Sequence, residues 1–189
     1  MKIILASASP RRRQLLSENG IEFEVIPSKK QEPVLAGLSP NEYTENLAQF
    51  KAQDVFNTFG GVVLGADTIV VHEGRILGKP KDREDAIKTL RSLSGKRHEV
   101  ITGFCVIYGT NPTKYVVKSV KSGVWFNALS DEIITSYVDS GLPMDKAGRY
   151  GVQDGYPLVE RVEGSLTNVI GLPVDEVIAD IKEIENEGY

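Results

Sequence analysis

The sequence contains a single cysteine, Cys105, and only two histidines, His72 and His98. One thiol cannot form an intrachain disulfide, and a Cys- or His-built zinc site would lack ligands. Any metal would therefore sit on oxygen. No apolar run approaches the roughly 20 residues of a membrane-spanning helix. Met1-Lys2-Ile3-Ile4-Leu5 is followed at once by serines, a proline and arginines, which is not the pattern of a secretory leader. The expected compartment is the cytoplasm, with no membrane partner. Basic excess is missing too: 22 Lys and Arg stand against 26 Asp and Glu, a net charge of −4. This argues against a nucleic-acid polymer as partner but leaves room for a local cationic pocket that takes one small anion. The P-loop pattern and the G-x-G-x-x-G fingerprint are absent. The absence of a G-x-S-x-G elbow weakens a serine-hydrolase reading.

What is present is an ordinary globular composition, 41% hydrophobic and 25% charged over 189 residues. That length suits a single domain spanning 1–189, or one with a small lobe. Ile3-Ile4-Leu5 is a short apolar strand. Ser9 and Pro10 start a helix as N-cap and first residue, and Gly20 closes it. Ile21, Phe23 and Val25 alternate with Glu22 and Glu24 as a half-buried strand. Ser39-Pro40-Asn41-Glu42 is a capping box for a helix ending at Gly60-Gly61. Val62 to Leu64 and Ile69 to Val71 are strand-like, with Gly65-Ala66-Asp67-Thr68 between them. His72-Glu73-Gly74-Arg75 predicts a hairpin turn. Asp82 caps a helix with Ala86, Ile87, Leu90 and Leu93 on one face. Residues 97–127 suit two or three antiparallel strands. Ser130 caps a helix ending at Gly141, and a glycine-rich stretch of 142–156 follows. A strand over Leu158 to Val162 and a final helix striped by Val174, Val177, Ile178, Ile181 and Ile184 complete the chain. The pattern predicts an α/β (mixed α+β) fold, with a mixed, partly antiparallel sheet flanked by helices.

Several segments could carry chemistry. Ser7-Ala8-Ser9-Pro10-Arg11-Arg12-Arg13 joins a buried strand to a helix N-terminus, where free N–H groups and the helix dipole favour an anion. Arginines in the first turn oppose that dipole, and a bound polyphosphate would relieve the conflict; the alternative is a solvated basic face. Asp67 is a carboxylate in the most apolar stretch of the chain. Buried, it requires a metal, a cation or water; the alternative is a turn aspartate beside Gly65. Lys79, in Gly78-Lys79-Pro80, is a point charge on a stiff loop that suits a phosphate; read alone, the segment is better explained as a solvated basic loop. Lys51 sits on the apolar side of its helix, either as a ligand or snorkelling to solvent. His72 and His98 are expected at the surface, and Cys105 in a buried strand. Together these residues suggest a metal-assisted phosphate-ester or anhydride site.

Five ordered motifs carry a resemblance. Ser7-Ala8-Ser9-Pro10-Arg11-Arg12, Gly65-Ala66-Asp67-Thr68, Gly78-Lys79-Pro80, Asp145 to Gln153 and Asn168-Val169-Ile170-Gly171-Leu172-Pro173 resemble the Maf family of nucleotide pyrophosphatases, also described as septum-formation inhibitors. The match is collinear from Ile3 to about Val177. The resemblance implies an elongated fold of the inosine-triphosphatase type. It also implies hydrolysis of a nucleoside triphosphate to monophosphate and pyrophosphate with a divalent cation (Mg, Mn or Co), and suggests a homodimer. Asp67 would activate water, and Ser7, Ser9 and Arg12 would hold phosphate. Lys51 and Lys79 would add positive charge. Glu32 would act with Asp67 toward the metal. Arg11, Thr68 and Gln153 resemble the branch that acts on dTTP and UTP, rather than the 7-methyl-GTP branch. Gln31 stands where the family has a second acidic residue, Leu166 where it has tyrosine, and Asp154 where glycine is frequent. The expected function is dTTP/UTP pyrophosphatase. A non-catalytic nucleotide-binding regulator of division is the alternative from another class.

Overall fold

The computed structural model describes residues 1–109 and 111–189. Strand β1 (Ile3–Leu5) pairs in parallel with β2 (Phe23–Val25) and with β3 (Val63–His72). Helix α1 (Pro10–Glu18) makes the crossover from β1 to β2. It starts where Ser9 Oγ accepts from the Arg12 amide at 3.5 Å. It ends before Gly20, whose φ of 70° is cheap only for glycine. Helix α2 (Pro40–Phe59) has the expected capping box: Ser39 Oγ accepts from the Glu42 amide and Glu42 accepts from the Ser39 amide.

One expectation fails in β3. The segment Gly65-Ala66-Asp67-Thr68 is not a turn between two strands but the middle of one continuous strand. Gly65 is there because α2 crosses closely: a Cβ at this position would lie 2.2 Å from the Ala48 carbonyl oxygen. The missing side chain thus serves helix–strand packing rather than a bend. After His72 the chain does turn. Glu73 and Gly74 both have positive φ, 49° and 74°, as a two-residue type I′ loop demands, and β4 (Arg75–Leu77) returns antiparallel along β3.

Helix α3 (Arg83–Leu93) is capped by Asp82. The long strands β5 (Arg97–Tyr108) and β6 (Lys114–Phe126) follow, two strands where two or three were expected. Helix α4 (Asp131–Asp139) is capped by Ser130, and residues 142–156 contain two short 3₁₀ turns, Leu142–Asp145 and Ala147–Arg149. Strand β7 (Val159–Glu163) pairs antiparallel with β6. Helix α5 (Leu166–Ile170), too short for any periodicity to announce, precedes α6 (Val174–Asn186). The seven strands run β2-β1-β3-β5-β6-β7 with β4 on β3, a mixed, partly antiparallel sheet flanked by helices as expected. No helix among the described residues is long and apolar enough to cross a membrane.

The chain packs as two compact units. The first is Met1–Thr68, Thr102–Val120 and Gly171–Tyr189. In it Ala48, Ala52 and Val55 of α2 pack on Ala6, Val63, Cys105 and Ile107. The second is Ile69–Ile101 and Lys121–Ile170. Its core joins Leu90 and Leu93 of α3, Ile134 and Tyr137 of α4, and Val124 and Phe126 of β6. Each such leucine contributes about 1.5–3 kcal/mol by leaving water. Both histidines depart from the surface placement expected of them: His72 and His98 are buried. His98 lies edge-on to Phe126 and Tyr150 and shares a 2.7 Å hydrogen bond with the Tyr150 hydroxyl. Its polar sequence neighbours gave no hint, because alternate positions of a strand face opposite sides.

Candidate functional site

The first unit gathers most of the residues singled out from sequence. Ser7 leaves the end of β1, and its buried hydroxyl accepts from the Ser9 amide at 3.3 Å and from Arg12 Nη1 at 2.9 Å. Arg12 does not extend into solvent. Its Nε donates to the Gly171 carbonyl at 2.8 Å, and its Nη2 donates to Thr68 Oγ1 at 3.0 Å. Thr68 Oγ1 also lies 2.9 Å from Thr102 Oγ1. Burial lowers the Arg12 pKa and the nearby Asp67 opposes that shift. The guanidinium stays charged regardless, because its ordinary pKa is so high. A fixed fork of N–H groups is therefore held where α1 begins.

One residue from Thr68, Asp67 occupies the middle of β3. Its Oδ1 accepts from Lys51 Nζ at 2.6 Å. The same ammonium lies 2.9 Å from Glu32 Oε1. The side chains of Lys51 and Asp67 are each 15% exposed and that of Glu32 is 51% exposed, so the pair is sheltered and the third member faces water. Lys51 is thus a bridge between two carboxylates, not a snorkelling cation. A cleft of about 200 Å³ opens here, lined by Ser7, Ser28, Lys30, Glu32 and Lys51 among others.

The base of the loop that carries Glu32 is tied down by Asp54, which lies three residues after Lys51 on α2. Asp54 accepts from Ser28 Oγ at 2.9 Å and from the Lys29 amide at 3.2 Å, and pairs with Lys30 Nζ at 3.1 Å. These contacts, Ser28 first, hold its carboxyl below the usual range. Nothing in the sequence marked Asp54; its only signal was its position one helical turn beyond Lys51.

Among the described residues no group of three or more His, Cys, Asp and Glu side chains is placed to hold a metal. Glu32 and Asp67 nonetheless bring two carboxylates to one ammonium, and Arg12 supplies a phosphate-type fork beside them. Two carboxylates with substrate phosphates and water suit Mg²⁺, which seldom takes an all-protein cage. The donor set therefore fits a cation that arrives with a polyphosphate.

Lys79 and Gln153 belong to the second unit, and both are exposed. Lys79 follows β4 in a loop whose Gly78 carbonyl accepts from Arg149 Nη1 at 2.7 Å. Gln153 lies after the second 3₁₀ turn. Arg11 is half-buried in the first turn of α1. Of the departures from the resemblance, Leu166 is exposed, and Asp154 accepts from the Tyr137 hydroxyl at 2.5 Å and pairs with Lys146.

A model of the Maf-like protein family matches residues 2–184. The chain belongs to the Maf family. Curated Maf relatives match at nearly full length. A protein of Geotalea uraniireducens (strain Rf4), named dTTP/UTP pyrophosphatase, is 48% identical over 96% of this chain and 94% of its own. Proteins of the same name from Aquifex aeolicus (strain VF5) and Thermococcus gammatolerans (strain DSM 15229 / JCM 11827 / EJ3) are 47% and 43% identical. They cover 97% and 96% of this chain and 96% of their own length in each case. Among solved structures, a nucleoside-triphosphatase / dITP/XTP pyrophosphatase from Mycobacterium abscessus aligns over 98% of both chains, with 16% identity and a TM-score of 0.47. A HAM1 protein from Coxiella burnetii aligns over 82% of this chain and 89% of its own, with 16% identity and a TM-score of 0.48.

Proposed function

We propose that this Maf-family chain is a single catalytic domain that hydrolyses dTTP and UTP to the monophosphate and pyrophosphate. The observation that carries the reading is the Lys51 ammonium held 2.6 Å from Asp67 and 2.9 Å from Glu32, beside the half-buried fork of Arg12. The shared name of the curated relatives supports the substrate class.

In this reading Ser7, Ser9 and Arg12 bind phosphate oxygens, and Lys79 and Lys51 offset further charge. A triphosphate brings about four negative charges, and most of the catalysis is positioning and electrostatic stabilisation of the leaving group. Asp67 takes a proton from the attacking water. The water oxygen bonds to the α phosphorus as the bridge to the β phosphate breaks, and pyrophosphate carries away the electron pair. Lys51 holds Asp67 in place for this role through the bond to Oδ1. Glu32 and Asp67 would hold a divalent cation (Mg, Mn or Co), which supplies Lewis-acid charge neutralisation when bound. Arg11, Thr68 and Gln153 select the base. A homodimer in the cytoplasm is the expected setting.

A nucleotide panel with product identification tests this reading. Monophosphate plus pyrophosphate from UTP and dTTP is expected, at least about tenfold faster than from 7-methyl-GTP, a gap above ~1.4 kcal/mol. Diphosphate plus phosphate would reject the reaction. Binding without turnover would favour the non-catalytic regulator.

A further inference from the structure

The second unit contains an arginine whose placement is costly. Arg149 is buried at 7% exposure, adopts a left-handed φ of 63°, and leaves its Nε without a partner among the described residues. Each of these features is unfavourable on its own and persists only where surrounding contacts enforce it. Those contacts converge on one loop. Arg149 Nη1 donates to the Gly78 carbonyl at 2.7 Å, and Nη2 donates to Asp85 Oδ2 at 2.7 Å. The same Asp85 oxygen accepts from the Lys81 amide at 3.0 Å. The backbone groups on both sides of Lys79-Pro80 are therefore held by one ion pair, while the Lys79 side chain remains exposed. The Arg149 contact keeps the Asp85 carboxyl below its usual range, so it stays ionised at neutral pH.

The chain beyond Arg149 is pinned as well. The Gly151 amide donates to the Tyr137 hydroxyl at 3.0 Å, and that hydroxyl donates to Asp154. Asp154 also pairs with the buried Lys146 at 3.3 Å. Gln153 lies between these two anchored residues.

We propose that Arg149, clamped to Asp85, is a positioning residue that couples the loop carrying Lys79 to the segment carrying Gln153, so that charge delivered to the substrate's phosphates and selection of its base depend on one rigid element. This rests on the roles given above to Lys79 and Gln153. It adds a residue and a device that neither role requires.

Steady-state kinetics with UTP and GTP on Arg149→Met, Asp85→Asn and Lys79→Met, alone and combined, test the proposal. Lys79→Met is expected to raise KM for UTP, and Arg149→Met to raise it at least about tenfold, as misplacement of a binding group does. Adding Arg149→Met to Lys79→Met should then raise KM by clearly less than it does in the wild-type background, because the part of its effect that passes through Lys79 is already lost. Arg149→Met should also narrow the UTP-over-GTP preference. Arg149→Lys, which keeps the charge and one bond, should recover part of each loss. If Lys79→Met behaves as wild type, the underlying role of Lys79 fails. If Lys79→Met is impaired but Arg149→Met and Lys79→Met multiply, the coupling is overturned. A drop in kcat at constant KM and constant preference is what a smaller folded fraction produces, and it overturns the proposal too. Should Arg149→Met fail to fold, Asp85→Asn, at the more exposed end of the pair, carries the same comparisons.

Discussion

Lys51→Met is the most informative single perturbation, because one ammonium serves two carboxylates. Methionine keeps the length and apolar body of the lysine, so packing on α2 changes little. The lost contact with Asp67 is 2.6 Å between side chains each 15% exposed. Removing one partner of a fully buried pair destabilises by about 3–5 kcal/mol, since the other charge is left uncompensated. Residual exposure of Asp67 reduces that figure. Glu32, half in water, adds no more than the ~0–1 kcal/mol of a surface pair. The expected loss is about 2–3 kcal/mol, which for a domain of this size lowers Tm by roughly 4–12 °C. Asp67→Asn in the Lys51→Met background removes the stranded anion and should recover ~1–2 kcal/mol, a coupling that only neighbouring groups produce. Activity should fall about 10²- to 10³-fold, as when one preorganised donor is deleted. Thermal unfolding of the four proteins in the cycle, with pyrophosphate release for each, supplies the measurement. A Tm within about 1 °C of wild type, or stability losses that simply add in the double variant, would refute the assignment of Lys51 as counter-charge to Asp67.

Other expectations are simpler to state. Asp67→Asn should abolish pyrophosphate release from UTP while far-ultraviolet circular dichroism stays native; turnover near the wild-type rate would remove Asp67 as the base. Gly65→Ala should destabilise by about 1–3 kcal/mol or more in urea titrations, because its methyl would meet the Ala48 carbonyl at 2.2 Å. Unchanged stability would mean that α2 does not pack so closely on β3. Burial lowers the His98 pKa to about 3, far below its ordinary 6.5. The unfolded chain then binds a proton below pH ~6.5 that the folded chain refuses, so stability falls with pH at up to ~1.4 kcal/mol per unit. His98→Asn should flatten that dependence between pH 6.5 and 5, and equal slopes for both proteins would place His98 in water.

Local chemistry made much of this fold legible. Ser9-Pro10, Ser39 to Glu42, Asp82 and Ser130 each start a helix where the hydroxyl or carboxylate caps it, and Glu73-Gly74 makes the turn its residue types demand. The errors arose where a tertiary contact decided. Gly65 has the composition of a turn but is a strand residue whose missing Cβ admits α2. His72 has the setting of a turn and His98 sits among polar neighbours, yet both are buried. The candidate site divides in the same way. Asp67 was conspicuous as a carboxylate in an apolar run, and its need for a partner followed from burial alone. That the partner is Lys51, shared with Glu32, depends on α2 crossing β3 at Gly65 and could not be read from spacing. Asp54, Asp85 and Arg149 hold loops rather than lining the cleft, and a residue that acts by holding another carries no motif of its own.

The three arginines that open α1 show how fold and site depend on each other. Cations in a first helical turn oppose the dipole by a few tenths to ~1 kcal/mol each. Arg12 evades part of this by turning its guanidinium back to Ser7, Thr68 and Gly171, where three oxygens receive it. Those bonds bring the ends of β1, the middle of β3 and the approach to α6 to one cation. The contact that relieves the helix is thus the same one that fixes a phosphate-type fork beside Asp67. A chain with net charge −4 needs no basic surface to bind a polyanion if its cations are sequestered in this way. Lys51 faces two carboxylates and Arg12 faces neutral oxygens, so the ammonium is largely offset by the protein's own anions and, in the proposed reaction, the guanidinium presents the larger uncompensated charge to an anion.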